Sequence, residues 1–279
     1  MGAGSSEDIS TIDGLCTNGG NEGVRPDRLI SSRQGLAITA RTTENGGMPA
    51  STPDVMTMND CHAFEDHSMR ELPVRGFLHR STDSAADCLV LTHSAGANCQ
   101  SPLLTALADA FCILGWTVLR CDLPFRQSRP QGPPPRGSAE RDQDGLRAAV
   151  ASMRRETTGR IFLGGHSYGG RQASILAAAA PGLVERLLLL SYPLHPPQKP
   201  DELRTGHFPT LQTPSLFVHG VRDGFGSIAE MEAALTLIPA RTELLPVPSA
   251  GHELLSSRNR TELPQRMVKA FLSFVDQAG

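Results

Sequence analysis

The sequence predicts an α/β fold built on a mostly parallel sheet with helices on both faces. Two observations carry this. Short, continuously apolar runs such as "CLVLTH" (88–93), "RIFLGG" (160–165) and "RLLLLSY" (186–192) have the texture of strands buried on both sides. Stretches of helical periodicity separate them, and strand–helix alternation requires crossover connections between parallel strands. The chain has 279 residues, enough for one ordinary domain and an extension.

Residues 1–69 are expected to be a disordered or low-complexity extension. Up to residue 63 there is no Phe, Trp or Tyr, and Gly, Ser, Thr, Asn and Asp dominate. Such a segment buries too little apolar surface to offset the entropy of ordering it. Met48, Met56 and Met58 are each placed to serve as a later start. The folded domain is expected over 70–279.

Within that domain "VRGFLHR" (74–80) alternates like an exposed strand, and "CLVLTH" follows as a buried one. A helix is expected over 101–115, with Ser101 as N-cap, Pro102 at its first position and Gly115 as stop. "WTVLRCDLP" (116–124) reads as a strand, 124–137 as a Pro- and Arg-rich loop, and 138–156 as a helix. After "RIFLGG" a helix runs to Pro181-Gly182. "RLLLLSY", "PSLFVHG" (214–220) and "TELLPVP" (242–248) are further strands, with a helix over 227–237 between the last two. An amphipathic helix closes the chain at 261–277, with Leu263, Met267, Val268, Phe271, Leu272 and Phe274 toward one side.

Composition narrows the function classes. A net charge of −3 gives no basis for binding nucleic acid or an anionic membrane. No apolar run approaches the ~18 residues of a membrane span. The first residues lack the basic start and apolar core of a secretory signal, so a cytoplasmic location is expected. The six cysteines form no Cys-x-x-Cys pair and read as structural thiols. His93, His166 and His219 lack ligand spacing and a companion carboxylate cluster, so neither a metal nor another cofactor is expected.

The chemistry concentrates at strand ends. Gly165-His166-Ser167-Tyr168-Gly169 lies between a strand and a helix, where a serine is forced into an exposed, strained turn. Asp223 follows the strand at 214–220, and His252 follows the one at 242–248. Taken singly, Asp223 reads equally well as a helix cap and His252 as a surface histidine. Jointly, the order Ser167, Asp223, His252 is that of a nucleophile, acid and base set after successive parallel strands. His93-Ser94-Ala95-Gly96-Ala97 resembles the His-Gly-x-Gly turn of lipases and esterases, with Ser94 in place of the usual glycine. Backbone N–H groups of Ala95 and Tyr168 are the expected oxyanion donors. Ser94, Arg126 and Arg171 are candidate substrate contacts; Arg126, with Arg129 and Arg136, reads alternatively as a solvated basic loop.

The stretches "LTHSAGANCQSPLLTALADAFCILGWTVLRCDLPFR", "GGHSYGGRQAS", "LLLLSYPLHPPQKPDELRTGHFPTLQTPSLFVHGVRDGFG" and "AGHEL" together resemble the Tex/KANL-type α/β-hydrolase-like family, relatives of dienelactone hydrolase. The resemblance covers residues 72–275, and "YPLHPPQKP…LR…H…P" (192–209) is its most specific part. It implies an α/β-hydrolase fold with a minimal cap or none, in agreement with the spacing of only about 22 residues between the strands at 186–192 and 214–220. It also implies Ser167 as nucleophile, Asp223 as acid and His252 as base. The expected activity is that of a serine hydrolase cleaving a small ester, thioester or lactone. The alternative is a scaffold or binding protein that retains the fold without turnover.

Overall fold

The computed structural model describes residues 60–277; of the extension expected over 1–69, residues 1–59 lie outside them. Among the described residues, eight strands form one sheet in the order β1-β2-β4-β3-β5-β6-β7-β8. The strands are β1 (Asp60–Asp66), β2 (Val74–Arg80), β3 (Cys88–Thr92), β4 (Thr117–Cys121), β5 (Ile161–His166), β6 (Leu187–Leu190), β7 (Ser215–Gly220) and β8 (Thr242–Val247). β4, β3, β5, β6, β7 and β8 run parallel; β2 pairs antiparallel with both β4 and β1. The helices are α1 (Pro102–Ile113), α2 (Pro124–Ser128), α3 (Ala139–Glu156), α4 (Tyr168–Ala179), α5 (Ile228–Leu235) and α6 (Glu262–Asp276).

The two-residue period of a strand divides each apolar run between two cores. Leu89, Leu91, Phe162, Leu188, Leu190, Leu216 and Val218 face α1 and α6. Val90, Leu119, Leu163, Leu187, Leu189 and Phe217 face α3, α4 and α5. The lone tryptophan, Trp116, anchors the first core against Phe162 at 4.9 Å and Phe111 at 5.3 Å between ring centroids. Phe271 of α6 closes the group edge-on at 5.6 Å from Phe162. Fully burying one such ring stabilises the fold by about 2–3 kcal/mol.

Three expectations are corrected. The ordered chain begins before residue 70, because Asp60–Asp66 pairs along its full length with β2. β2 is therefore not exposed: with a neighbour on each side, its Val74, Leu78 and His79 are buried. The loop at 124–137 opens with the helical turn α2, which Pro124 starts because its fixed φ suits the first helical position. Ser101 does sit at the N-cap of α1, but its side chain makes no capping bond. Gly115 ends that helix at φ +82°, a conformation that costs glycine nothing.

This winding decides where a site can form. From β3 the chain crosses by α1 to β4 on one side, then returns by α3 to β5 on the other side. The loops leaving β3 and β5 therefore diverge and open a crevice at the carboxyl edge of the sheet, where ligands of such folds gather.

Candidate active site

Ser167 sits at that crevice, between the last residue of β5 and the first of α4, with φ +52° and ψ −113°. This is a strained conformation for any residue with a Cβ. Its neighbours leave it little alternative. A Cβ on Gly165 would lie 2.6 Å from the Gly169 carbonyl carbon, and one on Gly169 would lie 2.5 Å from the His93 carbonyl oxygen. The Ser167 N–H is held by the Leu190 carbonyl at 2.8 Å.

His252 and Asp223 converge on this serine. His252 Nε2 lies 2.8 Å from Ser167 Oγ, while its Nδ1 lies 2.9 and 3.0 Å from the two carboxylate oxygens of Asp223. A carboxylate accepts, so Nδ1 carries the proton and Nε2 is free to accept from the serine hydroxyl. The Asp223 side chain is fully buried. Burial alone would raise its pKa, but the His252 hydrogen bond and charge, together with the Phe225 N–H at 2.9 Å, lower it below the usual carboxylate value. Asp223 does not cap α5. Ser227 does, in a reciprocal capping box with Glu230.

The loop after β3 is held by its own hydrogen bonds. The Ser94 carbonyl accepts from His93 Nδ1 at 2.8 Å and from the Ala97 N–H at 3.2 Å. A planar peptide thus fixed carries the Ala95 N–H on its opposite side. His93 Nε2 in turn accepts from the Leu123 N–H at 3.1 Å, and burial lowers its basicity and keeps it neutral. The second expected donor, the Tyr168 N–H, opens α4, where a helix has no internal acceptor to offer.

Of the candidate substrate contacts, Arg126 is corrected. It is buried, and its guanidinium donates to the carbonyls of Ala97 (2.8 Å), Ala95 (2.7 Å), Arg129 (3.0 Å) and Gly132 (3.0 Å). With its donors committed to backbone, it braces the Ala95–Ala97 loop rather than meeting a substrate. Arg129 and Arg136 are exposed. Ser94 is buried within the loop itself. Arg171, half-buried one turn into α4, lies beside Tyr192, Arg204 and His207.

Several partnerships around the site were not legible in the sequence. His166 Nε2 donates to the His252 carbonyl at 2.9 Å, so the elbow also holds the loop of the histidine. Phe225 packs its ring on the His252 imidazole with centroids 4.2 Å apart. Tyr168 Oη donates to Asp142 at 2.7 Å, and Asp142 also accepts from the Phe125 N–H at 3.0 Å, joining α4, α3 and α2. His219 donates to the Gly226 carbonyl at 2.8 Å and shapes the Asp223 loop. A spacing pattern could have flagged none of these, because each pair is brought together from different elements. Among the described residues, no three His, Cys, Asp or Glu side chains are grouped to hold a metal ion, and no helix is long and apolar enough to cross a membrane.

The fold has many relatives of known structure. Dienelactone hydrolase from Anabaena variabilis ATCC 29413 superposes with a TM-score of 0.61 at 21% identity, covering 77% of this chain and 98% of its own. An alpha-beta serine hydrolase homologue from Coxiella burnetii gives 0.61 at 18% identity, covering 77% and 99%. An α/β serine hydrolase without a lid from Xanthomonas campestris gives 0.58 at 19% identity, covering 78% and 97%. Among curated proteins, none matches the sequence. The alpha/beta hydrolase domain model matches residues 85–276, the segment that carries β3 through α6, and the chain belongs to that family.

Proposed function

We propose that this chain is a serine hydrolase that cleaves a small ester, thioester or lactone through an acyl-enzyme. The observation that carries the reading is the relay from Asp223 through His252 to Ser167, with hydrogen bonds of 2.9 and 2.8 Å. Serine alone is a weak nucleophile. With Nδ1 protonated toward Asp223, His252 Nε2 takes the hydroxyl proton as Ser167 Oγ attacks the acyl carbon. Negative charge then develops on the former carbonyl oxygen, where the N–H groups of Ala95 and Tyr168 stabilise it. His252 passes its proton to the departing alcohol or thiol. Water, activated by the same imidazole, attacks the acyl-serine and releases the acid.

The "YPLHPPQKP" segment (192–200) supports a reading of the chain as a Tex/KANL-type member of the family. A cytoplasmic enzyme acting on a soluble acyl compound fits the composition.

A fluorophosphonate probe and a panel of short-chain p-nitrophenyl esters and thioesters test the reading. Labelling at Ser167 and turnover lost in Ser167→Ala are the expected results. No labelling of folded protein, with wild type no faster than the variant across the panel, would overturn it in favour of a non-catalytic binding role.

A further inference from the structure

The segment after β6 folds back over α4 and brings basic groups together without an acid between them. Tyr192 Oη donates to the Arg204 carbonyl at 2.6 Å, and the Arg204 N–H donates to the Leu194 carbonyl at 2.7 Å. His207 Nε2 donates to Ser174 Oγ at 2.8 Å, and that hydroxyl donates to the Arg171 carbonyl at 2.9 Å. These contacts set Arg204 and His207 against the turn of helix that carries Arg171.

The two guanidinium groups are poorly served there. Among the described residues, Arg171 Nε is buried with no acceptor, although its guanidinium lies near the Tyr192 hydroxyl, and the Arg204 side chain donates to the Pro193 carbonyl alone, at 3.4 Å. Glu202, the acid whose charge reaches Arg204, is paired with Lys199 at 2.9 Å. Burial and the Arg171 charge depress the basicity of Arg204, and they push the His207 imidazole down to about 4. Like charges held together in a half-buried site repel, and a bound anion removes the conflict.

The cluster adjoins the proposed catalytic centre. Arg171 follows Ser167 by four helical residues, about 6 Å along the axis, and helical side chains lean toward the N-terminus. On the other side, the His195 N–H donates to the Phe225 carbonyl at 3.1 Å, and Phe225 stacks on His252. The loop bearing Arg204 is therefore tied to the residue that stacks on the imidazole.

We infer that Arg171 and Arg204 form an anion subsite beside Ser167 that holds a carboxylate at the far end of the substrate's acyl chain. The substrate class is then a half-ester or half-thioester of a short dicarboxylic acid, which adds to the hydrolase reading and rests on it. The reaction balances simply. Ser167 Oγ forms the acyl bond, the alcohol or thiol leaves with the proton from His252, and water releases the dicarboxylic acid. The distal carboxylate is unchanged throughout.

The test compares p-nitrophenyl hemiglutarate with p-nitrophenyl valerate, using the full chain and its Arg171→Gln, Arg204→Gln and Arg171→Lys variants. Wild type is expected to favour the acidic ester. Each Gln variant is expected to lose about ten- to hundred-fold in kcat/KM on it, mainly through KM and at least tenfold more than on valerate. Arg171→Lys should recover part of the loss. Equal rates on both esters, or parallel losses, would overturn the subsite while leaving the hydrolase intact. Calorimetric titration of Ser167→Ala protein with glutarate and with inorganic phosphate tests the subsite without turnover. Glutarate binding that Arg171→Gln abolishes supports it even if neither ester is hydrolysed, an outcome that counts against the esterase reading alone. Absence of glutarate binding, or binding of phosphate only, overturns the carboxylate assignment.

Discussion

His166 and His252 are linked by a hydrogen bond of 2.9 Å from the Nε2–H of the first to the carbonyl oxygen of the second. The strand end that presents Ser167 thus also fixes the backbone of its partner histidine. Burial lowers the basicity of His166 and favours its neutral, donating form. Displacing an imidazole by a fraction of an ångström is costly, so His166→Ala is expected to lower kcat by about ten- to hundred-fold with little change in KM. His166→Gln, which keeps a donor, should recover part of that loss. The rate of fluorophosphonate labelling of Ser167 reads the same effect. A His166→Ala enzyme with wild-type kcat would show that the link does not position the base.

Arg126 holds the Ala95–Ala97 loop by the two carbonyls it takes there. Arg126→Ala removes the donor shared by four part-buried carbonyls and is expected to cost about 1–2 kcal/mol in stability. Turnover should fall as well, because the Ala95 N–H loses its fixed direction. Arg126→Lys should rescue little, since one ammonium cannot reproduce a planar five-donor fork. Urea unfolding and kcat of the same samples check both effects. Full rescue by lysine would contradict this reading.

Tyr168 separates backbone from side chain. The proposed oxyanion donor is its N–H, whereas its hydroxyl serves Asp142, whose carboxyl is pushed upward by burial despite three hydrogen bonds. Tyr168→Phe is expected to lower stability by about 1–2 kcal/mol and change kcat less than threefold. A large fall in kcat with unchanged stability would place the hydroxyl in the chemistry instead.

His79 sets a pH dependence of stability. Burial and the neighbouring Arg120, whose Nε donates to His79 Nε2 at 2.9 Å, push its pKa down to about 4 from 6.5. The unfolded chain takes up a proton near the higher value and the folded protein does not. The stability contribution is therefore complete above pH 6.5 and is lost as pH falls toward 4. The loss due to this residue is about 3 kcal/mol at pH 4. Urea midpoints of wild type and His79→Gln at pH 7, 5.5 and 4.5 check it: the gap between them should narrow on acidification. A constant gap would show that His79 does not titrate this way.

Legibility followed burial. β3, β5, β6 and β7 were readable because each is buried on both faces and must be apolar throughout. β1, "DCHAFED", was not, since it is held by backbone pairing to β2 and needs no apolar code. Ser167, Asp223 and His252 could be placed because parallel topology sends every strand end to one edge of the sheet. Arg126 was misread because a sequence displays a charge but not the carbonyls it will meet.

By itself, then, the sequence determined the layering, the strand order of the candidate site residues and the elbow around Ser167, because these depend on local periodicity and on glycine at Gly165 and Gly169. Only the tertiary structure decided that His166 supports the His252 loop, that Arg126 is a brace, and that Arg171 and Arg204 come together. Those relations join residues 29 to 86 positions apart, and no local pattern encodes which distant backbone atoms a long polar side chain will reach. They are settled when the sheet and its two helical layers close.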